Sequence, residues 1–403
     1  MGETARGYRV TLRHPVAGRL VVAHAGSVLG DYAGLGALLL LGYERSGRQV
    51  LGAAALFAVQ AMPALVAGAL TGGWLDQVPR RRALVGLNLA GAAVVGLPLF
   101  LPGLAPVLVT AALLGAIRTA SVSVRSGVIA ETVPEDRRAS LLALLGTGDQ
   151  VGQVVGYLAG STTVLLVGAA PALLADAATF LLAGAVVAGV PFAVPSPRRG
   201  RPAVSVGLQE IRRQPVLRLL APLVFVTASV TALPESLAAG VTGGADVWTP
   251  FVLAAGPAGQ AAAMAVLGRG SAVERPSFQL VHLAWFALAF GVAALGRSPL
   301  WFVAGNLLVG SGVAWLLGPQ TLFVRIAPPE RMAQVTGTMI AGIITAEGIG
   351  TLLFGAVADA TSVATAYRVA GTLVLAAALA GWVVKERTPE MLELDGRPDH
   401  PEH

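Results

Sequence analysis

The segment GGWLDQVPRRRAL, residues 72–84, contains one acid, one proline and three consecutive arginines between two long apolar runs. The run before it begins near residue 50, and the run after it ends near residue 101. A short charged turn between two apolar stretches is typical of a loop that joins two membrane helices. This segment therefore indicates a membrane hairpin, and the rest of the chain repeats the arrangement.

The composition of the whole chain indicates a membrane protein. Of its 403 residues, 55% are hydrophobic and only 12% are charged, too few for the charged surface of a soluble domain. A helix needs about 20 mainly apolar residues to cross the hydrocarbon core. Such stretches are also too long and continuous for barrel strands, so we predict an all-α membrane bundle. We place twelve spans near residues 17–41, 50–74, 83–101, 104–129, 139–167, 170–193, 217–238, 247–268, 278–296, 299–325, 332–357 and 362–384. The seventh span is interrupted by Pro222 and Pro234.

The arginines fall mainly on one side of this arrangement. The connections predicted to face outwards hold Arg45, Arg48 and Arg297, with Arg368 nearby. The opposite connections hold far more, among them Arg80 to Arg82, Arg137, Arg138, Arg198, Arg199, Arg201, Arg212, Arg213 and Arg218. Cytoplasmic loops retain such an excess. We therefore predict a multi-pass protein of the cell membrane with both termini in the cytoplasm.

Several classes of function are excluded by what the sequence lacks. No cysteine is present, so there is no thiol nucleophile or cysteine metal site. No phosphate-binding loop of the glycine-lysine-serine type and no nucleophile–base set occur, which argues against an ATPase and against an enzyme. The net charge of +6 is explained by the one-sided arginines rather than by nucleic-acid binding. We expect no metal and no cofactor, a proton gradient as the energy source, and a monomer.

Two segments resemble each other at an offset of 194 residues. They are VPEDRRASLLALLGTGDQVGQVVG, residues 133–156, and PPERMAQVTGTMIAGIITAEGIG, residues 328–350. At an offset of 194, Pro134 matches Pro328, Arg137 matches Arg331 and Gly156 matches Gly350. An even number of spans separates the copies, so the repeat is parallel. We predict a six-helix half over residues 1–193, a cytoplasmic linker with an amphipathic segment over 194–216, a second half over 217–386 and a cytoplasmic tail over 387–403. The basic linker is expected to lie against anionic lipid headgroups.

The loop at residues 72–84 resembles the signature loop of the major facilitator superfamily. A glycine, an acid four positions on and a basic pair stand at Gly72, Asp76, Arg80 and Arg81, although Pro79 replaces the usual second glycine. The segments AHAGSVLGDYAGLGALLLL at 23–41, GYLAGSTTVLLVGAAPALLADAATFLL at 156–182 and VGLQEIRRQPVLR at 206–218 are similar to the branch of macrolide and siderophore exporters. The resemblance covers nearly the whole chain. It implies alternating access, in which two six-helix bundles rock about a central site.

The same resemblance implies that the loop helps to hold the inward-closed arrangement. Asp76 can accept hydrogen bonds from a helix N-terminus, and Arg80 or Arg81 can pair with Glu131 at the end of span 4. The alternative is that the arginines are topology anchors and Asp76 is a cap. Arg125, lower on span 4, resembles an arginine of the exporter branch. We interpret Arg125 as an anchor that reaches the membrane surface.

Charges inside the spans are the candidate functional residues, because an ionised group in hydrocarbon costs at least about 2.5–3.5 kcal/mol. Asp31 lies in span 1 and Arg118 in span 4. The superfamily resemblance implies that spans 1, 4, 7 and 10 line the cavity. We favour Asp31 as a proton-binding or cation-recognising carboxylate and Arg118 as its partner or as an anion contact. The alternative is a permanent Asp31–Arg118 pair that only holds the two spans together.

Further polar residues extend this candidate site. Asp149 and Gln153 share one face of span 5, where they could border the cavity. Glu347 in span 11 is a second candidate proton carrier, or it pairs with the polar patch of span 5. Glu235 is expected at a solvated rim of span 7. Glycines at four-residue spacing in span 5 are interpreted as packing residues, and Asp176 in span 6 as a capping or packing residue.

We therefore expect a secondary transporter that exports a small amphipathic compound, such as a drug or secondary metabolite, by proton influx. One alternative is proton-coupled uptake of a small anionic solute, with Arg118 binding its carboxylate. Another is a membrane scaffold or sensor that transports nothing.

Overall fold

The computed structural model describes residues 10–70, 78–190, 204–267, 275–326, 331–389 and 391–392, and within these ranges all regular structure is helical. The long helices are α1 (Pro15–Arg45), α2 (Val50–Leu70), α3 (Arg80–Val95), α4 (Leu104–Thr132), α5 (Glu135–Val167), α6 (Ala169–Ala188), α7 (Pro215–Ala228), α8 (Thr249–Leu267), α9 (Pro276–Ala293), α10 (Pro299–Val313), α11 (Met332–Ala360) and α12 (Val363–Glu386). Short helices follow α3 (Leu97–Phe100), α7 (Leu233–Ser236 and Ala238–Thr242) and α10 (Leu317–Ile326), and a linker helix (Val204–Arg213) precedes α7.

Eleven helical segments in the described ranges are long and apolar enough to cross a membrane. In addition, α2 is apolar over Val50–Pro63. The predicted all-helical, multi-pass class is therefore confirmed, while the count of twelve spans stays a prediction.

The chain forms two compact units. The first comprises residues 1–201 and 242–254, and the second comprises residues 202–241 and 255–403. Residues 242–254, which come after α7 in the chain, thus belong to the first unit. The predicted domain boundaries do not include this exchange and stay a prediction.

In the first unit, α1 packs against α5 along a row of glycines. A side chain at Gly152 would collide with Val28, and one at Gly156 or Gly160 would overlap the backbone of α1 at Leu29 or Ala33. Glycine lets two helix backbones approach this closely. The interpretation of these glycines as packing residues is confirmed. A single residue, Gly168 with φ +87°, then ends α5 and turns the chain into α6, and such a positive φ favours glycine.

In the second unit, α7 and the linker helix both lie against α11. A side chain at Gly350 would overlap the backbone of Ser229 at the end of α7, and one at Gly207 of the linker helix would overlap Gln334 of α11. Close helix packing through glycine thus occurs in this unit too.

The seventh span breaks after Ala228 and resumes at Leu233, so α7 is followed by two short helices rather than one long one. Pro234 stands at the start of the first short helix, where its missing N–H is tolerated. The helix runs through Pro222 without ending. Of the two prolines expected to interrupt this span, only Pro234 lies at a break.

Candidate functional site

A cavity of about 160 Å³ lies inside the first unit, among helices α1 to α6. Much of its lining is apolar, from leucine, isoleucine, valine and phenylalanine side chains. Its polar lining consists of His24, Ser27, Asp31, Tyr32, Gln60, Asn88, Arg118, Ser121, Arg125 and Asp149. A small polar chamber within an apolar helix bundle is the kind of place where a membrane protein binds a solute or an ion.

Helix periodicity explains which residues reach this cavity. On α1, the contributing positions Leu20, His24, Ser27, Asp31 and Leu35 recur every three or four residues. On α4, the positions run from Leu114 to Arg125 with the same spacing. Residues three and four apart lie on one face of a helix, so each helix presents a single mixed polar and apolar face.

Four of the predicted site residues meet at this cavity: Asp31, Arg118, Arg125 and Asp149. Gln153, one turn beyond Asp149 on α5, is half-buried and lies outside the lining. The expectation that both polar residues of α5 border the cavity therefore holds for Asp149 alone.

A histidine that we had not singled out connects two of these charges. Nδ1 of His24 lies 2.6 Å from an Nη1 of Arg125, and Nε2 of the same ring lies 3.1 Å from Oδ1 of Asp149. His24 is buried, at 7% exposure. The three side chains thus form a continuous chain from α4 through α1 to α5, which we call the Arg125–His24–Asp149 chain.

Arg125 differs from our interpretation of it. It lies half-buried at the cavity with its guanidinium on His24, whereas we expected an anchor directed to the membrane surface. The reason is local, since His24 offers a ring nitrogen within reach on the facing side of α1.

Arg118 contacts an aromatic residue instead of the expected acid. An Nη2 of Arg118 donates to the hydroxyl of Tyr32 at 3.3 Å, and its guanidinium carbon lies 5.5 Å from the centre of the Tyr32 ring. Among the described side chains, no ion pair joins Arg118 to Asp31. The two charges interact electrostatically without touching, and the alternative of a permanent Asp31–Arg118 pair stays untested. Arg118 remains exposed, while Asp31 is half-buried.

The predicted pair at the loop between α2 and α3 is present. Arg80 is buried at 4% exposure, and its Nη2 lies 3.2 Å from Oε1 of Glu131. A side chain at Gly127 would crowd the Arg80 guanidinium, so this glycine makes room for it. Arg81 is exposed and donates to the carbonyl oxygen of Val190 at 3.0 Å. Gly72 and Asp76, which complete the expected loop motif, lie outside the described residues.

Glu235 lies in the second unit and is buried at 7% exposure, so the expectation of a solvated rim residue was wrong. All four residues of the short helix Leu233–Ser236 are buried, because the break after α7 turns this segment inwards. The Glu235 carboxylate rests against Gly256 of α8, where a Cβ would lie 2.9 Å from Oε1. Glu347 is half-buried on α11 of the same unit.

Sequence signals existed for the two residues that we missed. His24 precedes Asp31 by seven positions, two helical turns, which places both on one face of α1. Tyr32 directly follows Asp31 and brings a hydroxyl to the same region. Neither carries a permanent charge, so neither stood out in an apolar span.

Comparison with known proteins places the fold. Residues 20–276 match the protein family described as Major Facilitator Superfamily. The structure is similar to that of the nucleoside transporter NupG, with a TM-score of 0.74 and 9% identity over 91% of this chain and 98% of that one.

Two further structures show the same fold. A peptide transporter POT in complex with sulfate has a TM-score of 0.68 and 17% identity over 94% of this chain and 95% of that one. The human organic anion transporter MFSD10 has a TM-score of 0.66 and 16% identity over 91% of this chain and 100% of that one. No curated protein sequence matches the chain.

Proposed function

The chain belongs to the Major Facilitator Superfamily, and from this we propose that it is a secondary active transporter that works by alternating access and exports a small amphipathic compound in exchange for protons. Its fold is that of a membrane transporter, and solved structures of this fold include nucleoside, peptide and organic anion transporters. Direction, coupling and substrate class are the parts we propose.

The observation that carries the proposal is the charged cavity among α1 to α6. An ionisable group within the hydrocarbon region costs at least about 2.5–3.5 kcal/mol, and such groups are retained mainly for a function. Here two acids, two arginines and a histidine surround one chamber. Pockets for drug-sized ligands measure about 300–1,000 Å³, so the 160 Å³ of this chamber suits only the polar end of a compound. An amphipathic substrate would leave its apolar part outside.

Asp31 is the proton-binding residue in this proposal. Its carboxylate lines the cavity, and among the described residues it makes no hydrogen bond and no ion pair. A carboxylate without a fixed partner is free to exchange a proton with the cavity. Glu347 is the second proton carrier, and Glu235 is buried in the same unit.

The architecture that we propose is twelve spans in two similar halves, with both termini in the cytoplasm. Two glycines that match at an offset of 194 residues support the repeat: Gly156 packs α5 on α1, and Gly350 packs α11 on α7. The one-sided arginines support the orientation.

The Arg80–Glu131 pair is the gating contact of this proposal. Arg80 is buried, and its ion pair joins α3 to α4 at the end of the hairpin that contains the superfamily loop. Both residues lie in the first unit, so the gating step that we expect is release of this pair by a shift of α3 against α4, with Arg81 as a second contact.

A second candidate function is uptake of a small anionic solute, which the position of Arg118 favours. This guanidinium is exposed and its hydrogen bond goes to a neutral phenol, so a substrate carboxylate could bind it without displacing an acid.

Flux in liposomes tests both candidates. Purified protein is reconstituted with opposed pH gradients and a panel of amphipathic cations, amphipathic anions and small carboxylates. Export coupled to protons predicts movement of an amphipathic compound against the proton flow. Movement of an anion together with protons would favour uptake, and no movement of any compound would favour a scaffold.

The variant Asp31→Asn tests the proton assignment. We expect it to lower gradient-driven flux by about tenfold, within the range usual for coupling between two sites. Asp359→Asn is the control, because Asp359 is an exposed acid at the end of α11. Full flux with unchanged pH dependence in Asp31→Asn would refute the assignment.

A further inference from the structure

We propose that His24 is a further proton-binding site, in addition to Asp31 and Glu347, and that its protonation expels Arg125 from the Arg125–His24–Asp149 chain and so changes the charge of the substrate cavity. The inference rests on the proposed proton-coupled transport and adds a residue and a movement that this proposal does not contain.

The first step is the tautomer of His24. A guanidinium nitrogen can only donate a hydrogen bond, so Nδ1 of His24 must accept from the Nη1 of Arg125 at 2.6 Å. The ring proton is then on Nε2, which lies 3.1 Å from the Asp149 carboxylate. In the neutral imidazole, the neighbours of the ring therefore place the proton on the side of Asp149.

The second step is the effect of another proton. A doubly protonated imidazole donates from both nitrogens, so Nδ1 can no longer accept from Arg125. Two positive groups would then face each other at 2.6 Å in a buried position. The imidazolium would form an ion pair with Asp149 on its other side, so Arg125 is the group that has to leave.

The third step is where Arg125 can go. The acids that interact electrostatically with Arg125 are Asp149 and Asp31. Asp149 is engaged by His24, which leaves Asp31; this carboxylate has no ion pair within 4 Å among the described residues, and Arg118 and Asp176 also act on it electrostatically. Protonation of His24 therefore directs Arg125 towards the carboxylate of Asp31. The two proton sites become coupled through one arginine.

Arg118, which donates to Tyr32, is the other cation of the cavity that acts electrostatically on both acids. Two other helices line the cavity with uncharged polar side chains: α2 contributes Gln60 and α3 contributes Asn88. Asp176 of α6 lies against Gly30 and Gly34, further along α1 than His24. The titratable or charged groups around the cavity are thus His24, Asp31, Tyr32, Arg118, Arg125 and Asp149.

Nuclear magnetic resonance of the imidazoles tests the site without any transport assay. The chain has five histidines, so the signal of His24 is assigned by its loss in His24→Asn. In detergent at alkaline pH we expect the tautomer with the proton on Nε2, and on acidification a doubly protonated ring. In Arg125→Gln the second proton should bind more readily, because the opposing cation is gone. The opposite tautomer, or a ring whose titration is unchanged in Arg125→Gln, would overturn the inference.

Transport gives the second readout. The side-chain oxygen of asparagine can still accept from Arg125 but cannot gain a proton, so His24→Asn should bind substrate while its stimulation by an inward proton gradient falls by about tenfold. His282→Asn is the matched control, since His282 is a half-buried histidine of the second unit that contacts the carbonyl of Ser311. It should transport like the wild type.

The outcomes separate this inference from the proposed function. If the wild type transports nothing while the His24 signal behaves as expected, the proposed function fails and the proton site stands. If His24→Asn is folded, as judged by its thermal unfolding, and keeps full gradient-driven flux, the site at His24 is refuted and proton-coupled transport stands.

Discussion

The carboxylate of Asp176 shows how closely single residues are fitted in the first unit. It is 1% exposed on α6 and rests against α1 at two glycines one turn apart, Gly30 and Gly34. The hydroxyl of Thr179 donates to its Oδ1 at 3.4 Å. Our interpretation of Asp176 as a packing residue agrees with this position. The glycines of α1 are the reason that a carboxylate fits between the two helices.

We predict that Gly34→Ala destabilises the protein, because the new methyl group would overlap the carboxylate of Asp176. Overpacking usually costs about 1–3 kcal/mol, which exceeds the gain of about 0.5–1 kcal/mol from replacing a helical glycine by alanine. The midpoint of thermal unfolding in detergent should fall.

Gly26→Ala is the control for this prediction. It lies on the same helix, and no atom comes within 4 Å of the added methyl group, so its unfolding midpoint should stay or rise slightly. Equal midpoints for both variants would show that the fit at Asp176 does not limit stability.

The sequence predicted the charged residues of the candidate site better than the neutral ones. A charge in an apolar span is conspicuous, so Asp31, Arg118 and Asp149 could be selected, and all three line one cavity. The partners they take depend on helix rotation and rotamers, which a single sequence does not specify. For that reason the sequence did not predict that Arg118 contacts Tyr32 rather than Asp31, or that His24 contacts Arg125.

The linker helix, Val204–Arg213, has a buried ion pair on the face that packs on the second unit. Its Glu210 is 5% exposed, and Oε2 of Glu210 lies 2.5 Å from an Nη1 of Arg331. The neighbouring Arg212 and Arg213 are exposed. The ion pair therefore fixes one face of the helix on the second unit and leaves its basic end for solvent or lipid headgroups, the partner we expect for it.

We predict that Glu210→Ala releases the linker helix locally, because Arg331 loses its acid and the helix loses its main polar anchor. If local opening becomes easier by about 1–3 kcal/mol, trypsin should cleave after Arg212 or Arg213 about fivefold to 150-fold faster, since proteolysis follows the open population. The cleavage rate is read by electrophoresis and mass spectrometry of the fragments.

Gln209→Ala, an exposed change on the same helix, is the control and should leave the rate of cleavage unchanged. The same rate in Glu210→Ala would mean that apolar packing alone, not the ion pair, holds this helix.

Helix positions were predictable because long apolar runs and charged turns alternate along the chain. The ends of the helices were less predictable, and the seventh span illustrates the reason. Its apolar run is continuous, but the backbone breaks between Ala228 and Leu233 and brings Glu235 into a buried position. Hydropathy reports the surroundings of a segment and carries little information about a local break of this kind.

The whole chain divides into two units that each include one large set of helices, and a short segment, residues 242–254, belongs to the first unit although it follows α7. At the start of this segment the carbonyl of Gly243 accepts a hydrogen bond from Arg48 at 2.5 Å. Arg48 has φ 65°, which is uncommon for a residue with a side chain. The sequence repeat predicts two halves. It does not predict the hydrogen bond between Arg48 and Gly243, because that bond depends on the conformation of two loops.

We predict the orientation of the chain from its arginines, and the absence of cysteine makes this testable. Gln49→Cys and Arg213→Cys each add one thiol at an exposed position on opposite predicted sides. In intact cells an impermeant maleimide should label the first variant and spare the second. After permeabilisation both should react. Labelling of Arg213→Cys alone in intact cells would reverse the predicted topology.

The glycine row between α1 and α5 has a mechanical consequence. Because the backbone of Ala33 fills the space that a side chain at Gly160 would need, α1 and α5 cannot slide or swivel independently without a collision. We therefore expect α1 and α5 to move as one rigid body. This keeps the distances between His24 and Asp31 on α1 and Asp149 on α5 constant. Both arginines of the cavity, by contrast, lie on α4. Spin labels on α1 and α5 should keep a constant separation through a turnover cycle, and a change in that separation would show that the row of glycines does not hold the two helices together.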